Sequence, residues 1–394
     1  MTNLKQRFGR PLRLGLIGGA PGTWIANIHR SAAELDGWWR TVAGVFSSDP
    51  GRSRAAGASL GIDPARSYGD VAEMLATEGR RDDGIEAVAI VTPNDTHYRF
   101  SAAALDAGLD VVCDKPVTHT FAEACDLVAR TRAGGRRFAI AHAYSAYPMV
   151  RYAQRLVADG TLGPLRMAQV EYIQSGLATR VEDAPSNNRL RWLLDPGRSG
   201  LALVLSAIGC HAQQLLCFAS GKPIVQLCAD VQAVMPGRAV VDYVSALVEL
   251  EGGVRGTFTV TQAAAGGEND IRLRMYGEKG MLDWSHRDAS YLQLALQGEP
   301  MRTLGKGDPW LPPEILATGR IPRGHPEGLR EAFANIYAEV AQERMCAELG
   351  EPAPSLPYPR IEEGAHTMAF IEACLASQAT RAWVPVARVP GARS

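Results

Sequence analysis

The sequence lacks the features that would indicate a metal centre, a disulfide framework or a membrane span. Its seven cysteines are spread over 394 residues and form no Cys-x-x-Cys pair, which argues against structural zinc and a disulfide scaffold. Its longest apolar runs are about half as long as the stretch that crosses a bilayer, and the polar, basic N-terminus has no hydrophobic signal segment behind it. We therefore expect a soluble, cytoplasmic protein with buried, reduced thiols.

An excess of charge of one sign is also lacking. The 41 basic residues nearly balance the 42 acidic ones, for a net charge of -1, so the bulk charge gives no reason to expect a nucleic-acid or membrane-surface partner. A chain of 394 residues is too long for one ordinary hydrophobic core. Two domains are therefore expected.

The first third of the chain alternates short apolar runs with amphipathic stretches. Runs that are rich in β-branched residues and do not alternate with polar ones are typical of strands buried on both faces. Repeated βα units of this kind predict an α/β domain with a doubly wound parallel sheet, a Rossmann domain, over residues 1–147. The predicted strands cover residues 12–18, 41–47, 86–92, 109–115 and 137–142, with helices near 23–36, 51–60, 70–78, 95–107 and 120–133.

After residue 148 the strands become longer and are separated by hairpin signals such as YGEKG. This pattern predicts an α+β domain with a large, mostly antiparallel sheet over residues 148–360. The open face of such a sheet needs covering, so we expect a homodimer or homotetramer through it. Residues 304–328 form a long Pro/Gly-rich loop of the kind that is functional or disordered. Residues 361–394 are predicted to form a last helix and tail that can pack back on the first domain.

A glycine-rich turn follows the first predicted strand. The strict GxGxxG register would need glycine at 20 and 23, where the chain has Ala20 and Thr23, so the motif alone fits a plain tight turn equally well. Its place after the first strand of a βα array favours a dinucleotide, whose pyrophosphate would face the free N–H groups of the next helix. The residues of the turn are Gly18, Gly19, Ala20, Pro21 and Gly22.

The end of the second predicted strand bears on the choice of dinucleotide. An acidic residue there would bind the ribose 2′-hydroxyl and favour NAD, but the strand continues into Ser47 and Ser48, with Asp49 one residue later. The two serines can donate to a hydroxyl, whereas Arg52 can meet a 2′-phosphate. We expect NAD, and NADP stays open.

Polar residues also follow the third and fourth predicted strands, at the carboxyl edge where ligands of open α/β sheets bind. Lysine in such a loop is usually a solvated cation. Beside a nicotinamide, however, a positive charge stabilises the alkoxide that forms as hydride leaves, and a desolvated lysine can move its proton. The residues at these two strand ends are Thr92, Pro93, Asn94, His97, Asp114 and Lys115.

His211 stands in the apolar stretch LVLSAIGCHAQQLL. One interpretation is a core histidine that is satisfied by one backbone carbonyl. The other is a catalytic imidazole, and the small residues Gly209 and Cys210 favour it because they leave room for a ligand. Four residues earlier the chain has Ala207 and no carboxylate.

The strings GLIGGAPG, TPNDTH, DKP and IGCHA, in this order and spacing, resemble the Gfo/Idh/MocA oxidoreductases over roughly residues 12–386. The segments FSSDP, AYPMVR, DPGRSG, YGEKG and GHPEGLREAFANIYAEV resemble most closely the branch that includes levoglucosan dehydrogenase and other sugar or glucoside dehydrogenases. The resemblance implies a nicotinamide cofactor, a small carbohydrate substrate and a catalytic pair, Lys115 and His211. It also assigns Asn94 and His97 to the cofactor loop.

Further residues receive a role from the same resemblance. It implies that His142 and Tyr144 lie near the nicotinamide and the substrate, and that the loop of His325 closes over the sugar. The family usually has Asp-x-Gly-x-His, so Ala207 replaces an aspartate that would raise the proton affinity of the histidine and fix its orientation. Leu193 likewise stands where that branch often has arginine.

These residues together predict a dehydrogenase mechanism. A secondary alcohol would lie over the nicotinamide, His211 would accept its proton, and Lys115 would support the oxyanion as hydride leaves. The chain has neither the cysteine set of zinc dehydrogenases nor the Tyr-x-x-x-Lys of short-chain dehydrogenases. Because Ala207 replaces the site aspartate, a non-catalytic, dinucleotide-binding regulator of the same fold is the alternative.

The remaining polar candidates can be interpreted in two ways: as a wall that binds a polyol, or as solvated loop residues. Sugar sites combine several polar groups with an aromatic face. The polar candidates are Asp183, Asn187, Asn188, Asp242, Gln262, Glu268 and Asn269, and the aromatic ones are Trp24, Tyr144, Trp192 and Trp310.

Overall fold

The chain divides into two compact units. A computed structural model describes residues 2–183, 194–195, 202–355 and 357–391. Within those residues, the first unit consists of Met1–Thr118, Ala122–Ala143 and Leu329–Gly364. The second unit consists of His119–Phe121, Tyr144–Gly328 and Ala365–Ser394.

A parallel sheet forms the centre of the first unit. Its strands are β1 (Leu12–Ile17), β2 (Trp39–Val45), β3 (Ala87–Ile90), β4 (Asp110–Cys113) and β5 (Phe138–Ile140). They pair in the order β2-β1-β3-β4-β5, and β3, β4 and β5 are buried along their whole length. The order reverses between β1 and β3, and in such a sheet ligands bind at the carboxyl ends of the strands at this point.

Five helices of the first unit follow the predicted ones to within two residues, and Thr2–Phe8 and Leu329–Glu348 were not predicted. The alternation of buried strands with amphipathic helices therefore predicted this part of the fold correctly, and the Rossmann architecture is confirmed. The helices are Thr2–Phe8, Trp24–Leu35, Pro50–Ser59, Val71–Glu78, His97–Asp106, Phe121–Gly134 and Leu329–Glu348.

The division into units differs from the domain boundaries expected near residues 147 and 360. Leu329–Glu348 belongs to the first unit because it packs along Trp24–Leu35. The indole Nε1 of Trp39 also donates to the Tyr337 carbonyl at 2.8 Å. This helix returns to the first unit after a long excursion through the second, so its sequence position did not reveal its partner.

The second unit contains a large, mostly antiparallel sheet, as predicted. Its described strands are β6 (Leu165–Ile173), β7 (Ile224–Gln232), β8 (Tyr243–Leu250), β9 (Val254–Thr261), β10 (Asp270–Gly277), β11 (Gly280–Ser285), β12 (Tyr291–Leu296), β13 (Arg302–Gly305) and β14 (Val384–Pro385). The strand order is β13-β12-β11-β10-β6-β9-β8-β7-β14, and only the β6 and β9 pair is parallel in the described sheet.

One face of this sheet packs on helices and carries the core. Along β6 the buried residues Ala168, Val170 and Tyr172 alternate with more exposed ones, as expected for a sheet covered on one side. On the other face Met167 and Leu247 are 52% and 54% exposed. The helices of this unit with a described course are Pro148–Ala158, Cys210–Ser220, Pro313–Leu316 and the greater part of Ile361–Thr380.

The end of the chain packs in the second unit. Thr367 donates to the Gln213 side chain at 2.6 Å, and the Ser377 hydroxyl accepts from the Ala229 N–H at 2.9 Å. Residues from Ala365 onward therefore stabilise the second unit, which differs from the expectation that residues 361–394 pack on the first. In the part of the chain that is described, no helix combines the length and the apolar character that a membrane span needs.

Candidate active site

The turn after β1 allows a close approach of backbone to a ligand. Gly18, Gly19 and Gly22 have φ values of 91°, 85° and 88°, a region that glycine adopts without strain. A Cβ atom on Gly18 would lie 2.8 Å from the Thr92 Cγ2, and one on Gly19 would lie 2.6 Å from the Ala26 Cβ. Side chains are therefore excluded at both positions.

The same turn leads into the N-terminus of a helix. β1 ends at Ile17, and Trp24–Leu35 begins after Thr23, whose described side chain makes no capping hydrogen bond. The unpaired N–H groups and the positive end of the helix dipole attract a phosphate. Ala20 and Pro21 complete the turn and are half-buried and exposed. This arrangement fits the pyrophosphate of a dinucleotide.

The acidic residue that follows β2 is used for helix capping. Asp49 Oδ1 accepts from the Arg52 N–H at 2.7 Å at the start of Pro50–Ser59. The Ser47 hydroxyl accepts from the Asp49 N–H at 3.2 Å, and the Arg52 side chain is 76% exposed. Ser47 and Ser48 thus remain the polar groups directly at the strand end.

His97 connects the ends of two neighbouring strands. The residue is fully buried, its Nδ1 lies 2.7 Å from the Pro116 carbonyl, and its Nε2 lies 2.8 Å from the Thr92 carbonyl. A carbonyl can only accept, so both bonds require both ring nitrogens to carry hydrogen. His97 therefore links the loops after β3 and β4 through both ring nitrogens, and does not present its ring to solvent.

Asp114 and Lys115 stand at the end of β4, as predicted. Asp114 Oδ1 accepts from the Lys115 N–H at 2.9 Å and lies 3.9 Å from the Nε2 of His29, a fully buried residue. Burial alone would raise the pKa of the Asp114 carboxyl, but His29, Lys115 and His97 outweigh it and lower that pKa to about 2. The half-buried lysine thus follows a carboxylate that stays ionised.

Two further groups enclose this end of the sheet. His29 Nδ1 is 2.8 Å from the Tyr337 hydroxyl, and both side chains are buried. His142 follows β5, and burial together with the Lys115 cation lowers its pKa to about 3. His142 is therefore neutral at physiological pH.

In the second unit, His211 lies one residue into a helix that is preceded by a π-helical segment. The π segment is Leu205–Gly209 and the α-helix is Cys210–Ser220. Such segments occur frequently at functional sites. His211 is half-buried and not enclosed in the core, so the interpretation as a sealed core histidine loses its main support.

The small residues beside His211 face the core and not a ligand. A Cβ on Gly209 would lie 3.0 Å from Leu205 Cδ2 and 3.5 Å from Phe258 Cζ. Cys210 is fully buried, and its Sγ donates to the Ser206 carbonyl at 3.1 Å. The expectation that Gly209 and Cys210 leave room for a ligand was wrong, because core side chains pack against Gly209 and Cys210 is itself buried in the core.

Ala207 belongs to an apolar cluster. It packs against a group of buried side chains made of Leu177, Leu203 and Val240, with exposed fractions of 4%, 2% and 0%. The replacement by alanine is thus matched by its apolar neighbours.

Three neutral polar groups form a closed hydrogen-bond triad near His211. The Tyr144 and Tyr172 hydroxyls are 2.6 Å apart, and Tyr172 donates to Asn269 Oδ1 at 2.6 Å. Asn269 Nδ2 donates to the Tyr144 hydroxyl at 3.0 Å. Since Tyr172 has only one hydroxyl hydrogen, Tyr144 must donate to Tyr172. Burial is the main reason why the pKa of both phenols is raised.

The Tyr144 ring contacts two imidazoles edge to face. Its centroid lies 5.1 Å from that of His211, with the planes at 90°, and 5.2 Å from that of His286, with the planes at 88°. His286 is in turn held by the Asn269 carbonyl at 3.0 Å and the Tyr147 hydroxyl at 3.1 Å. Burial lowers the pKa of His286, so this wall is uncharged near neutral pH.

Several of the other predicted substrate contacts have structural partners. Asp242 is buried and forms an ion pair of 2.9 Å with Arg238, and Gln262 donates to Gln174 at 2.8 Å. His325 lies in an exposed turn. These assignments to the substrate stay predictions.

The surface candidates are a mixed group. Trp24 and Trp310 are 60% and 54% exposed, and Glu268 is exposed as well. Asp183 lies 3.2 Å from the Arg180 guanidinium on the surface. The candidates Trp192, Asn187 and Asn188, and the replacement at Leu193, lie outside the described residues.

Sequence reasoning did not find His29, Tyr172, Tyr337 and His286. His29 lies on the buried face of the helix after the glycine turn, where one histidine among apolar residues looks like core packing. Tyr172 and His286 reach Tyr144 only through pairing of distant strands, for which one sequence carries no signal. Among the described residues, no group of three or more His, Cys, Asp or Glu could hold a metal ion.

Two family models match the chain. The oxidoreductase family with an NAD-binding Rossmann fold matches residues 12–142, and the GFO/IDH/MocA C-terminal domain matches residues 150–283. The first match covers the glycine turn and the ends of β3 and β4. The second match covers His211 and begins six residues after Tyr144.

Proteins similar over the whole chain support the same family. The uncharacterized oxidoreductase YfiI of Bacillus subtilis is 32% identical over 382 residues, which cover 96% of this chain and 97% of that protein. An inositol dehydrogenase homolog from Azotobacter vinelandii, solved with NAD+, is 35% identical with a TM-score of 0.91, covering 96% and 98% of the two chains. A structure from that organism with NADH and myo-inositol is 33% identical, with a TM-score of 0.87 and the same coverage.

Levoglucosan dehydrogenase, solved with NADH and L-sorbose, is similar in fold, with 21% identity, a TM-score of 0.82 and coverage of 96% and 100%. The predicted resemblance to the Gfo/Idh/MocA family is confirmed by the two domain models and by the relatives that are more than 30% identical. From them and from the dinucleotide turn we conclude that the chain belongs to the GFO/IDH/MocA family of oxidoreductases and carries its NAD-binding Rossmann domain.

Proposed function

We propose that the protein is an NAD-dependent dehydrogenase that moves hydride between the cofactor and a secondary hydroxyl of a cyclic polyol, sugar or glycoside. The observation that carries the proposal is the end of β4, where Lys115 follows a buried carboxylate at the same sheet edge as the dinucleotide turn. A cation held there meets the requirement of a developing alkoxide. When bound, the nicotinamide supplies the hydride acceptor.

Lys115 and His211 receive separate roles in this proposal. Lys115 donates a hydrogen bond to the substrate oxygen and stabilises negative charge as its proton leaves. His211, half-buried in the second unit, takes that proton as general base. Asp114 keeps the surroundings of Lys115 close to neutral, because its carboxylate stays ionised.

The cofactor residues follow from the sheet edge. The turn of Gly18 to Gly22 binds the pyrophosphate, and the loop of Thr92, Pro93 and Asn94 lies against the nicotinamide half, with His97 holding that loop to the next one. His142 supplies a neutral wall. Ser47 and Ser48 bind the adenosine ribose, and their hydroxyls can bond its 2′-hydroxyl, which favours NAD.

A polyol substrate is supported by two observations. The wall of Tyr144, Tyr172, Asn269 and His286 consists of neutral hydroxyl, amide and imidazole groups, so it carries no charge that would attract a carboxylate or a phosphate. The Azotobacter vinelandii homolog, 33% identical, was solved with myo-inositol. We assign Tyr144, Trp192 and His325 to the substrate region on the family pattern.

The test is a substrate panel. Purified protein is incubated with NAD or NADP and a set of inositols, pyranoses and glycosides, and reduced nicotinamide is followed by its absorbance. We expect reduction of NAD with at least one cyclic polyol. Dinucleotide binding without turnover on every substrate, in both directions, would instead support the non-catalytic regulator that Ala207 makes plausible.

The open sheet face supports a homodimer or homotetramer. Met167 and Leu247 lie on that face and are more than half exposed, and a contiguous apolar surface marks a protein–protein contact. A second copy of the chain is the proposed cover. Met167→Glu with Leu247→Glu should yield a smaller particle by light scattering; an unchanged mass would remove this face from the interface.

A further inference from the structure

We infer that Tyr144 is a positioning residue for His211 and takes over the orienting role that an aspartate at position 207 has elsewhere in the family. The inference rests on the proposed function, in which His211 is the base. It gives Tyr144 a task that is different from a hydrogen bond to the substrate.

The contact geometry is that of a firm aromatic pair. The two ring centroids are 5.1 Å apart and the planes are perpendicular, which is the edge-to-face arrangement preferred by aromatic rings. Such a contact restricts the tilt of an imidazole without using either of its nitrogens. The Tyr144 ring thereby orients the imidazole, and the ring nitrogens of His211 serve the proton transfer.

Tyr144 is itself held rigidly. It is 4% exposed, and its hydroxyl donates to Tyr172 and accepts from Asn269 in the triad described above. Its single hydroxyl hydrogen is used inside this triad, so it has none to donate to a substrate. The ring is also stacked on Tyr147, with centroids 6.2 Å apart and planes at 13°.

Among the residues that the structure describes, the neighbours of position 207 include an apolar cluster. Ala207 packs against Leu177, Leu203 and Val240, and an ionised group placed there would lose hydration without gaining a partner among them. A change from carboxylate to ring contact keeps the imidazole aligned and leaves this cluster apolar. The alanine at position 207 and the Tyr144 ring contact are therefore interpreted together, as the replacement of one orienting group by another.

The test compares three substitutions at phenols of the second unit. Tyr144→Leu removes the ring contact and should lower kcat by roughly 10²-fold, the cost of a small misplacement of a catalytic group, with little change in KM. Tyr144→Phe keeps the ring and loses only the hydroxyl, so it should recover kcat to about fivefold below wild type. Tyr152→Leu, whose ring contacts Trp310, is the matched control and should leave both constants unchanged.

A second readout does not depend on turnover. In protein labelled with ¹³C-histidine, the imidazole C–H signals of His211 are assigned by their loss in His211→Gln. The Tyr144 ring current should displace these signals, Tyr144→Leu should move them, and Tyr144→Phe should restore them.

The outcomes separate this inference from the proposed function. If wild type oxidises no polyol, the proposed function fails, and the His211 signals still decide whether the ring contact exists. If Tyr144→Leu leaves those signals in place, the inference is wrong. It is equally wrong if Tyr144→Phe raises KM and lowers kcat as strongly as Tyr144→Leu, since the hydroxyl would then bind the substrate.

Discussion

Each unit contains a histidine that meets a tyrosine, and the two pairs are built differently. His29 is fully buried, with Nδ1 2.8 Å from the Tyr337 hydroxyl and Nε2 3.9 Å from Asp114 Oδ1. His211 is half-buried and meets the Tyr144 ring, whose hydroxyl is bonded elsewhere. A pair tied to a carboxylate fixes charge, whereas a ring contact fixes only orientation.

The surroundings of the two pairs follow the same division. The edge of the first unit carries the ionised Asp114 carboxylate, followed by Lys115. The wall of the second unit consists of neutral phenols, an amide and His286. In the proposed function, charged groups thus serve the cofactor and the oxyanion, and neutral groups lie on a separate part of the chain.

The largest expected effect comes from removing the cation of the first unit. Lys115→Ala should lower kcat by roughly 10³-fold or more, because electrostatic support of the oxyanion and proton transfer are lost together. The dissociation constant for NAD should change little when it is measured by titration calorimetry. The control is Lys279→Ala, at an exposed lysine of the second unit. If Lys115→Ala kept activity near that of wild type, the proposed role of the Lys115 cation would be wrong.

Acid should destabilise both units through buried neutral histidines. Burial, with Lys115, lowers the pKa of His142 to about 3, and burial lowers that of His366 to about 4. The unfolded chain takes up these protons near the ordinary value of 6.5, so each group's contribution to stability is complete above pH 6.5 and falls as the pH drops. The loss is about 1.4 kcal/mol per pH unit and per group down to the folded pKa.

Denaturant unfolding from pH 7 to pH 4.5 checks this prediction. His142→Gln and His366→Gln should each flatten the decline. Glu363 acts in the opposite sense, since burial raises its pKa to about 7, so its contribution is present below its ordinary pKa and is lost as the pH rises through 7. The difference between wild type and each variant therefore carries the test, and equal slopes would contradict it.

Removing the link made by His97 should have a smaller effect than the loss of the Lys115 cation or the acid destabilisation. His97→Asn removes at least one of two hydrogen bonds, at 2.7 and 2.8 Å, and should lower the free energy of unfolding by about 2 kcal/mol. Weaker NAD binding should accompany it, because the loop of Asn94 loses its anchor. His325→Asn, in an exposed turn, gives the reference for stability; a loss of similar size in both would remove the special role of His97.

The smallest expected effect concerns the missing carboxylate. Ala207→Asp should lower the free energy of unfolding by about 1 kcal/mol and should not raise kcat, because the new side chain meets Leu177, Leu203 and Val240. Ala207→Asn is the neutral control of equal size. A gain in kcat for the aspartate alone would show that the site lacks its base support and that the Tyr144 ring does not replace it.

The placement of the candidate site residues could largely be predicted from the sequence in the first unit, but hardly in the second. Strand ends, the glycine turn and Lys115 follow from local patterns, since the carboxyl ends of parallel strands share one edge of a sheet. Tyr144, Tyr172 and Asn269 come together only through the register of β6 and β10, in which Ile271 pairs with Tyr172. No local pattern encodes that pairing.

One prediction stays untested and another failed for an identifiable physical reason. His97 was assigned to the cofactor loop by the family resemblance, and the structure adds that its ring nitrogens lie against carbonyls of two loops; its contact with the cofactor stays a prediction. Gly209 and Cys210 were interpreted as room for a ligand, whereas Leu205 and Phe258 use that room. In each case the side chain meets a neighbour that is distant in the sequence or hidden by a helix turn.

The central claim is that Lys115 and His211 act on the same hydroxyl. A double-mutant cycle of Lys115→Ala and His211→Ala, measured in single-turnover reduction of NAD, tests it most directly. We predict that the double variant is about as slow as the slower single variant, because either loss already disables the shared proton transfer. Multiplied rate losses from the two substitutions would mean independent roles and would contradict the account.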